Sequence, residues 1–212
     1  MKRALASLKL KLPGLAPRHL RKMLSVEGHI TSSECLLLFN LASQVSSKCI
    51  VEIGSYRGRS TVCLALGSQM NNRPPVYAIE PHEQFTGPLG GEFGPRDRCA
   101  FFTNMTRKGV CEIVRLVNLS SDAVVKGWTR EVALLWIDGD HRYDFVRRDF
   151  DCWEPFVIEE GVIALHDSID PCLGPRRVVD EVLASGKFTL IQQADSTTVL
   201  RKQTKLLHSV GS

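Results

Sequence analysis

Several signatures that would fix the chemistry of a chain this size are missing. No apolar run approaches the ~20 residues that a membrane span requires, and no cysteine pair has CxxC spacing. The seven cysteines, Cys35, Cys49, Cys63, Cys99, Cys111, Cys152 and Cys172, are odd in number and lie mostly in apolar runs. They predict reduced core thiols and a cytoplasmic protein. No internal repeat or low-complexity stretch occurs. Near the start, Leu8, Leu10, Leu12 and Leu15 are interrupted by Lys9, Lys11 and Pro13, which does not fit a secretory signal. Glycines stand at 54 and 58 with none at 56, so the G-x-G-x-x-G dinucleotide fingerprint is absent, as is the Gly-Lys-Ser/Thr of a P-loop.

What is present describes one ordinary globular domain. The chain has 212 residues, 43% of them hydrophobic and 24% charged, enough for one full core and too few for a comfortable second domain. The net charge of +4 is gathered at the start, where Lys2, Arg3, Lys9, Lys11, Arg18, Arg21 and Lys22 precede the first acid, Glu27. We expect a basic arm over residues 1–30, a domain over 31–205 and a tail over 206–212. The arm reads as a solvated, loosely attached terminus rather than a nucleic-acid grip.

Along the domain, apolar runs and helical patterns alternate. Strands are expected at 49–53, 76–79, 111–117, 132–137, 161–165, 188–192 and 196–200, with helices starting near Thr31–Ser33 and over 60–70, 100–108, 121–129, 143–153 and 176–183. Alternation of this kind predicts an α/β fold, a parallel seven-stranded Rossmann-like sheet with helices on both faces, and ligands at the strands' C-terminal ends. Residues 82–97 hold four glycines and two prolines and read as a long loop able to cover a site.

Chemistry-bearing residues fall just after the apolar runs. Gly54 and Gly58 free a strand-to-helix turn that also carries Ser55 and Ser60, and open backbone there lets a small ligand approach. Glu80 follows the second strand, where a carboxylate can accept from ribose hydroxyls; a surface turn residue is the alternative. Ser120 follows the third, as a helix cap or a ligand contact. Asp138 ends the fourth strand, and His166 and Asp167 end the fifth. Carboxylates gathered there repel unless a cation or a shared proton relieves them, which suggests a divalent metal on Asp138, His166 and Asp167. Because imidazole suits Zn, Mn, Fe or Ni better than Mg or Ca, the metal's identity stays open.

The turn VEIGSYRGRST, with the acid Glu52 two residues before Gly54, resembles motif I of class I S-adenosylmethionine (SAM) methyltransferases. The run IDGDHRYDFVRRDFDCWEPFVIEEGVIALHDS resembles the SAM-dependent methyltransferases that group with macrocin O-methyltransferases and cephalosporin hydroxylase-like proteins. It carries their D-x-D-H-x-Y, V-x-x-D, W-x-P and G-x-I-x-x-H-D in order. Together with IEPH, the resemblance covers roughly residues 45–190. Catechol and caffeoyl-CoA O-methyltransferases look like more distant relatives. Their metal-binding acid matches Asp138, their Asp and Asn ligands match His166 and Asp167, and their catalytic lysine matches His141.

The resemblance implies metal-assisted O-methylation of a small polar acceptor such as a sugar or natural-product hydroxyl. Glu52, Gly54, Ser55, Gly58 and Ser60 would hold the methionine end of SAM, Glu80 its ribose, and Ser120 and Asp138 the region near the adenine and the reacting centre. His141 would act as general base. The alternatives are a nucleoside-binding protein without turnover and a dinucleotide-dependent oxidoreductase. A homo-oligomer remains compatible with all three.

Overall fold

The sheet begins at β1 (Cys49–Ile53), whose five residues are all buried. Full burial on both faces is what a central parallel strand demands. A computed structural model describes residues 17–87 and 90–204. Beside β1 lie β2 (Val76–Ile79), β5 (Val114–Val117), β6 (Val132–Ile137), β7 (Val157–Leu165), β8 (Phe188–Ala194) and β9 (Thr197–Lys202). Together they form a seven-stranded sheet of order β5-β2-β1-β6-β7-β9-β8. The chain runs outward from β1 through β2 to β5, then returns across β1 to β6. A crevice therefore opens at the C-terminal ends of β1 and β6, the switch point where ligands collect.

The expected all-parallel sheet needs one correction, because β9 runs antiparallel to both β7 and β8. Only Asp195 and Ser196 separate β8 from β9. A two-residue connection can only fold a strand back beside its predecessor. The expected loop over 82–97 contains a small second sheet, β3 (Phe85–Thr86) with β4 (Glu92–Phe93).

Alternation along the strands sends side chains to two cores. On one face, Ile50, Val76, Ala78, Leu134 and Trp136 pack under α1 (Pro17–Leu24), α2 (Ser32–Ser43), α3 (Arg59–Ser68) and α4 (Pro95–Lys108). On the other, Val51, Ile53, Leu135 and Ile137 meet α6 (Tyr143–Trp153) and α7 (Gly174–Ala184), with α5 (Ser121–Val124) near the edge. Truncating a buried leucine such as Leu135 to alanine would cost about 2–5 kcal/mol.

The described part of the expected arm, residues 17–30, packs against the domain. Met23, Val26 and Ile30 are buried in the first core, and Arg59 donates to the carbonyls of Val26 (2.6 Å) and Ile30 (2.8 Å). Residues 17–30 are thus fastened to the domain by the start of α3. The remainder of the expected arm, and all of the expected tail, lie outside the described residues. The cysteines also need correction: all seven are free, but only Cys35, Cys49 and Cys63 are buried. Among the described residues no helix is long and apolar enough to cross a membrane.

Candidate active site

The strand ends enclose a cavity of about 610 Å³, lined by Gly54, Ser55, Ser60, Glu80, Ser120, Asp138, His141, His166 and Asp167. Most of the residues singled out in the sequence are brought together there. Glu52 and Gly58 are not among the lining residues. Glu52 points into the layer between the sheet and α3, where its Oε2 accepts from the Thr61 hydroxyl at 2.5 Å. Burial pushes its carboxyl up to about 8, with hydrogen bonds from Ser60 and Thr61 opposing. In this position the carboxyl meets Thr61 of α3 rather than the cavity.

Both turn glycines have left-handed backbone, and at Gly54 packing against the Asp138 backbone adds a second requirement. A Cβ on Gly54 (φ +84°) would stand 2.1 Å from the Asp138 carbonyl oxygen, and one on Gly58 (φ +89°) 2.5 Å from Met105 Cε. Gly54 thereby lets β1 and β6 end side by side, and the Asp138 N–H donates to the Ile53 carbonyl at 2.8 Å.

Glu80 organises the turn from below. Its Oε2 accepts from the backbone N–H groups of Ser55 (3.1 Å) and Tyr56 (3.2 Å), and its Oε1 from that of His82 (3.1 Å). Asn118 holds the same strand end by donating to the carbonyls of Glu80 and Pro81, each at 2.7 Å. Ser55 is buried, with a hydroxyl that has no hydrogen-bond partner. Ser120 occupies the position before α5, makes no side-chain capping bond, and places its hydroxyl against the Asp122 carboxylate.

The ends of β6 and β7 bring four ionisable side chains together. Nδ1 of His166 lies 3.0 Å from Asp138 Oδ1 and 3.5 Å from Asp167 Oδ2. Nε2 of His141 lies 3.5 Å and 3.6 Å from the same two oxygens. Neither nitrogen has an aligned hydrogen bond. Burial opposes charge on Asp138, His141 and His166, yet attraction to their neighbours wins. Asp138 is held below the usual carboxylate range by His166 and His141; His141 is raised by Asp138 and Asp167; and His166 is raised to about 11 by Asp138, Glu34 and Asp167. The ligand atoms of Asp138, His141 and His166 lie within 4.8 Å of one another. Asp167, the remaining residue of the expected set, lies beside this group, its Oδ2 3.5 Å from His166 Nδ1 and 3.6 Å from His141 Nε2.

A methyltransferase-domain family model matches residues 51–168. The chain belongs to the class I SAM-dependent methyltransferase family. Solved structures agree in fold. The O-methyltransferase from Bacillus cereus, solved with SAH, is 17% identical, with a TM-score of 0.66 over 89% of this chain and 92% of that one. TomG from Streptomyces achromogenes, solved with SAM and described as involved in tomaymycin synthesis, is 15% identical, with a TM-score of 0.65 over 89% and 91%. PaMTH1 from Podospora anserina, solved with SAH, is 15% identical, with a TM-score of 0.64 over 88% and 87%.

In this methyltransferase the cavity has walls that strand-end reasoning missed. His29, Tyr56, Phe85 and Phe93 line it, and their rings meet, Tyr56 to Phe93 at 5.2 Å and His29 to Tyr56 at 5.5 Å between centroids. Phe145, Arg148 and Asp149 also line it, and burial raises the Asp149 carboxyl to about 6. The aromatic-rich segment 85–93 was the available sequence signal. Asp149 is the acid of the V-x-x-D motif, to which the sequence reading gave no role.

Proposed function

We propose that this methyltransferase transfers the methyl group of SAM to a hydroxyl of a small polar acceptor, such as a sugar or a natural product. The observation that carries this reading is the convergence of Asp138, His141, His166 and Asp167 in the same cavity as the Gly54 turn and Glu80. The B. cereus and S. achromogenes relatives, solved with SAH and SAM, support the cofactor.

The residues fit that cofactor. Ser55 offers an unpartnered buried hydroxyl beside the turn, and Glu80 Oε1, with one backbone partner, has lone pairs left for ribose hydroxyls. Ser60, Ser120 and Asp138 line the remaining wall. When bound, SAM supplies an electrophilic methyl group on a sulfonium. Glu80 and the turn fix the donor, and the aromatic wall of Tyr56, Phe85 and Phe93 excludes water from the acceptor side, so that much of the rate comes from positioning.

A divalent cation also fits, because His141 Nε2 and His166 Nδ1 face the Asp138 carboxylate and a cation would replace the protons that otherwise pair them with it. Asp138 and His166 would hold it, with Asp167 and His141 in reach. When bound, such a cation lowers the pKa of a coordinated hydroxyl and orients it. Left off the cation and having given up its own proton, His141 receives the hydroxyl proton at Nε2, and Asp138 and Asp167, which raise its pKa, stabilise the resulting imidazolium.

The test is to incubate the protein with SAM and small-molecule extracts and search by mass spectrometry for compounds that gain one methylene. We expect a hydroxyl compound that is methylated only when both protein and SAM are present. Failure of any such product to form, with no SAM binding by calorimetry, would overturn the reading.

A further inference from the structure

The Glu34 carboxylate lies in the core behind the site, 1% exposed. It caps α2, its Oε2 accepting from the Thr31 N–H at 2.9 Å. Its other oxygen does something a cap does not need. Oε1 accepts from the Ser196 N–H (3.2 Å), the Ser196 hydroxyl (2.8 Å) and the Thr197 hydroxyl (2.9 Å), and it lies 3.5 Å from Nε2 of His166. His166 thus has Glu34 on one ring nitrogen and Asp138 and Asp167 on the other, and the Trp136 ring packs against it at 5.6 Å.

We propose that Glu34 is a positioning residue for His166, holding Nε2 from behind so that Nδ1 is presented to Asp138 and the cavity. This rests on the reading of Asp138, His141 and His166 as the reacting centre. Imidazoles that ligate metals commonly hand their second nitrogen to a carboxylate, which fixes ring orientation and tautomer. Three hydroxyl and amide donors on Oε1 hold the carboxylate itself still. The turn between β8 and β9 braces this carboxylate but meets neither His166 nor the cavity, and none of its residues lines the site.

The experiment compares the wild-type full chain with Glu34→Gln, which removes the charge but keeps the shape, and Ser196→Ala, which removes a donor to the same oxygen without touching His166. Glu34→Asp, which keeps the charge but draws it back from the ring, serves if the glutamine variant does not fold. Two readouts are taken: Mn²⁺ affinity by calorimetry and the imidazole nitrogen resonances of His166 by NMR. Both Glu34→Gln and Ser196→Ala should lower the melting temperature. Only the Glu34 variants should shift the His166 resonances and weaken Mn²⁺ at least tenfold. Mn²⁺ affinity within twofold of wild type, with unmoved His166 resonances in a Glu34 variant, would overturn the proposal. If the wild type binds no Mn²⁺, the cation reading falls, and the NMR comparison alone decides the role of Glu34: a shift in the Glu34 variants but not in Ser196→Ala supports it, and no shift overturns it.

Discussion

Replacing Glu52 by glutamine should make the protein more stable at high pH and leave it nearly unchanged at low pH. Glu52 is wholly buried, with one oxygen bonded to Thr61 and the other without a partner. In the folded chain its carboxyl is pushed up to about 8 from an ordinary value of 4.5. The folded state therefore binds this proton more tightly than the unfolded state does. Its stabilising effect is complete below about 4.5 and is lost as pH rises through about 8. The gap between those values, at about 1.36 kcal/mol per pH unit, sets a ceiling of about 5 kcal/mol on the loss.

Glutamine has the same shape and carries no proton to lose. Urea unfolding at pH 5, 7 and 9 is the assay, with the slope checked at each pH so that only stability is compared. The wild type should lose more stability between pH 5 and 9 than Glu52→Gln, by a few kcal/mol and no more than about 5. Parallel pH profiles for the two proteins would refute the reasoning. SAM affinity provides a second check. A residue bonded under α3 rather than facing the cavity should leave the SAM dissociation constant within about twofold, whereas a direct ligand contact would cost about 1.5–3 kcal/mol of binding.

The same arithmetic separates the other positions. Glu80→Ala should weaken SAM binding by about 1.5–3 kcal/mol, measured by calorimetry; an unchanged constant in a folded variant would leave Glu80 only its role in bracing the turn. Gly54→Ala forces a Cβ against the Asp138 carbonyl at a positive φ and should cost at least about 3 kcal/mol in thermal unfolding, while a loss below 1 kcal/mol would show that the two strand ends can separate freely. Exhaustive chelation, or Asp167→Asn, should lower product formation at least about tenfold, near 1.4 kcal/mol of transition-state stabilisation, with little change in the SAM dissociation constant; full activity in metal-free protein would leave His141 to act alone.

β1, β2, β6 and α6 have the bounds expected from their apolar runs and patterns, because buried parallel strands and an amphipathic helix are written in local spacing. The hairpin of β3 and β4 was hidden, since two-residue strands among glycines leave no periodicity to see. The reversed strand was legible in principle. A connection as short as Asp195-Ser196 leaves no length for the crossover that a parallel partner requires.

The site divides along the same line, and the division follows from strand geometry. Residues just beyond the strands, Gly54, Glu80, Asp138 and His166, reach the cavity because the backbone there has left the sheet. Glu52 lies inside β1, where side chains alternate between faces; it shares the parity of Ile50, which packs in the core beneath α2 and α3. Period-two counting thus assigns Glu52 to the helix layer even though it sits two residues from the turn glycine. Proximity in sequence to a motif is a weaker guide than the direction the pleat dictates. Glu34 marks the other limit: its partner Ser196 is 162 positions away, and no local pattern joins a helix cap to a hairpin turn across that distance. The local signal at Thr31 and Glu34 accounts for only one of the carboxylate's two oxygens. The second oxygen is explained by the fold alone, which brings the turn after β8 against the start of α2 and the ring of His166 between Glu34 and Asp138.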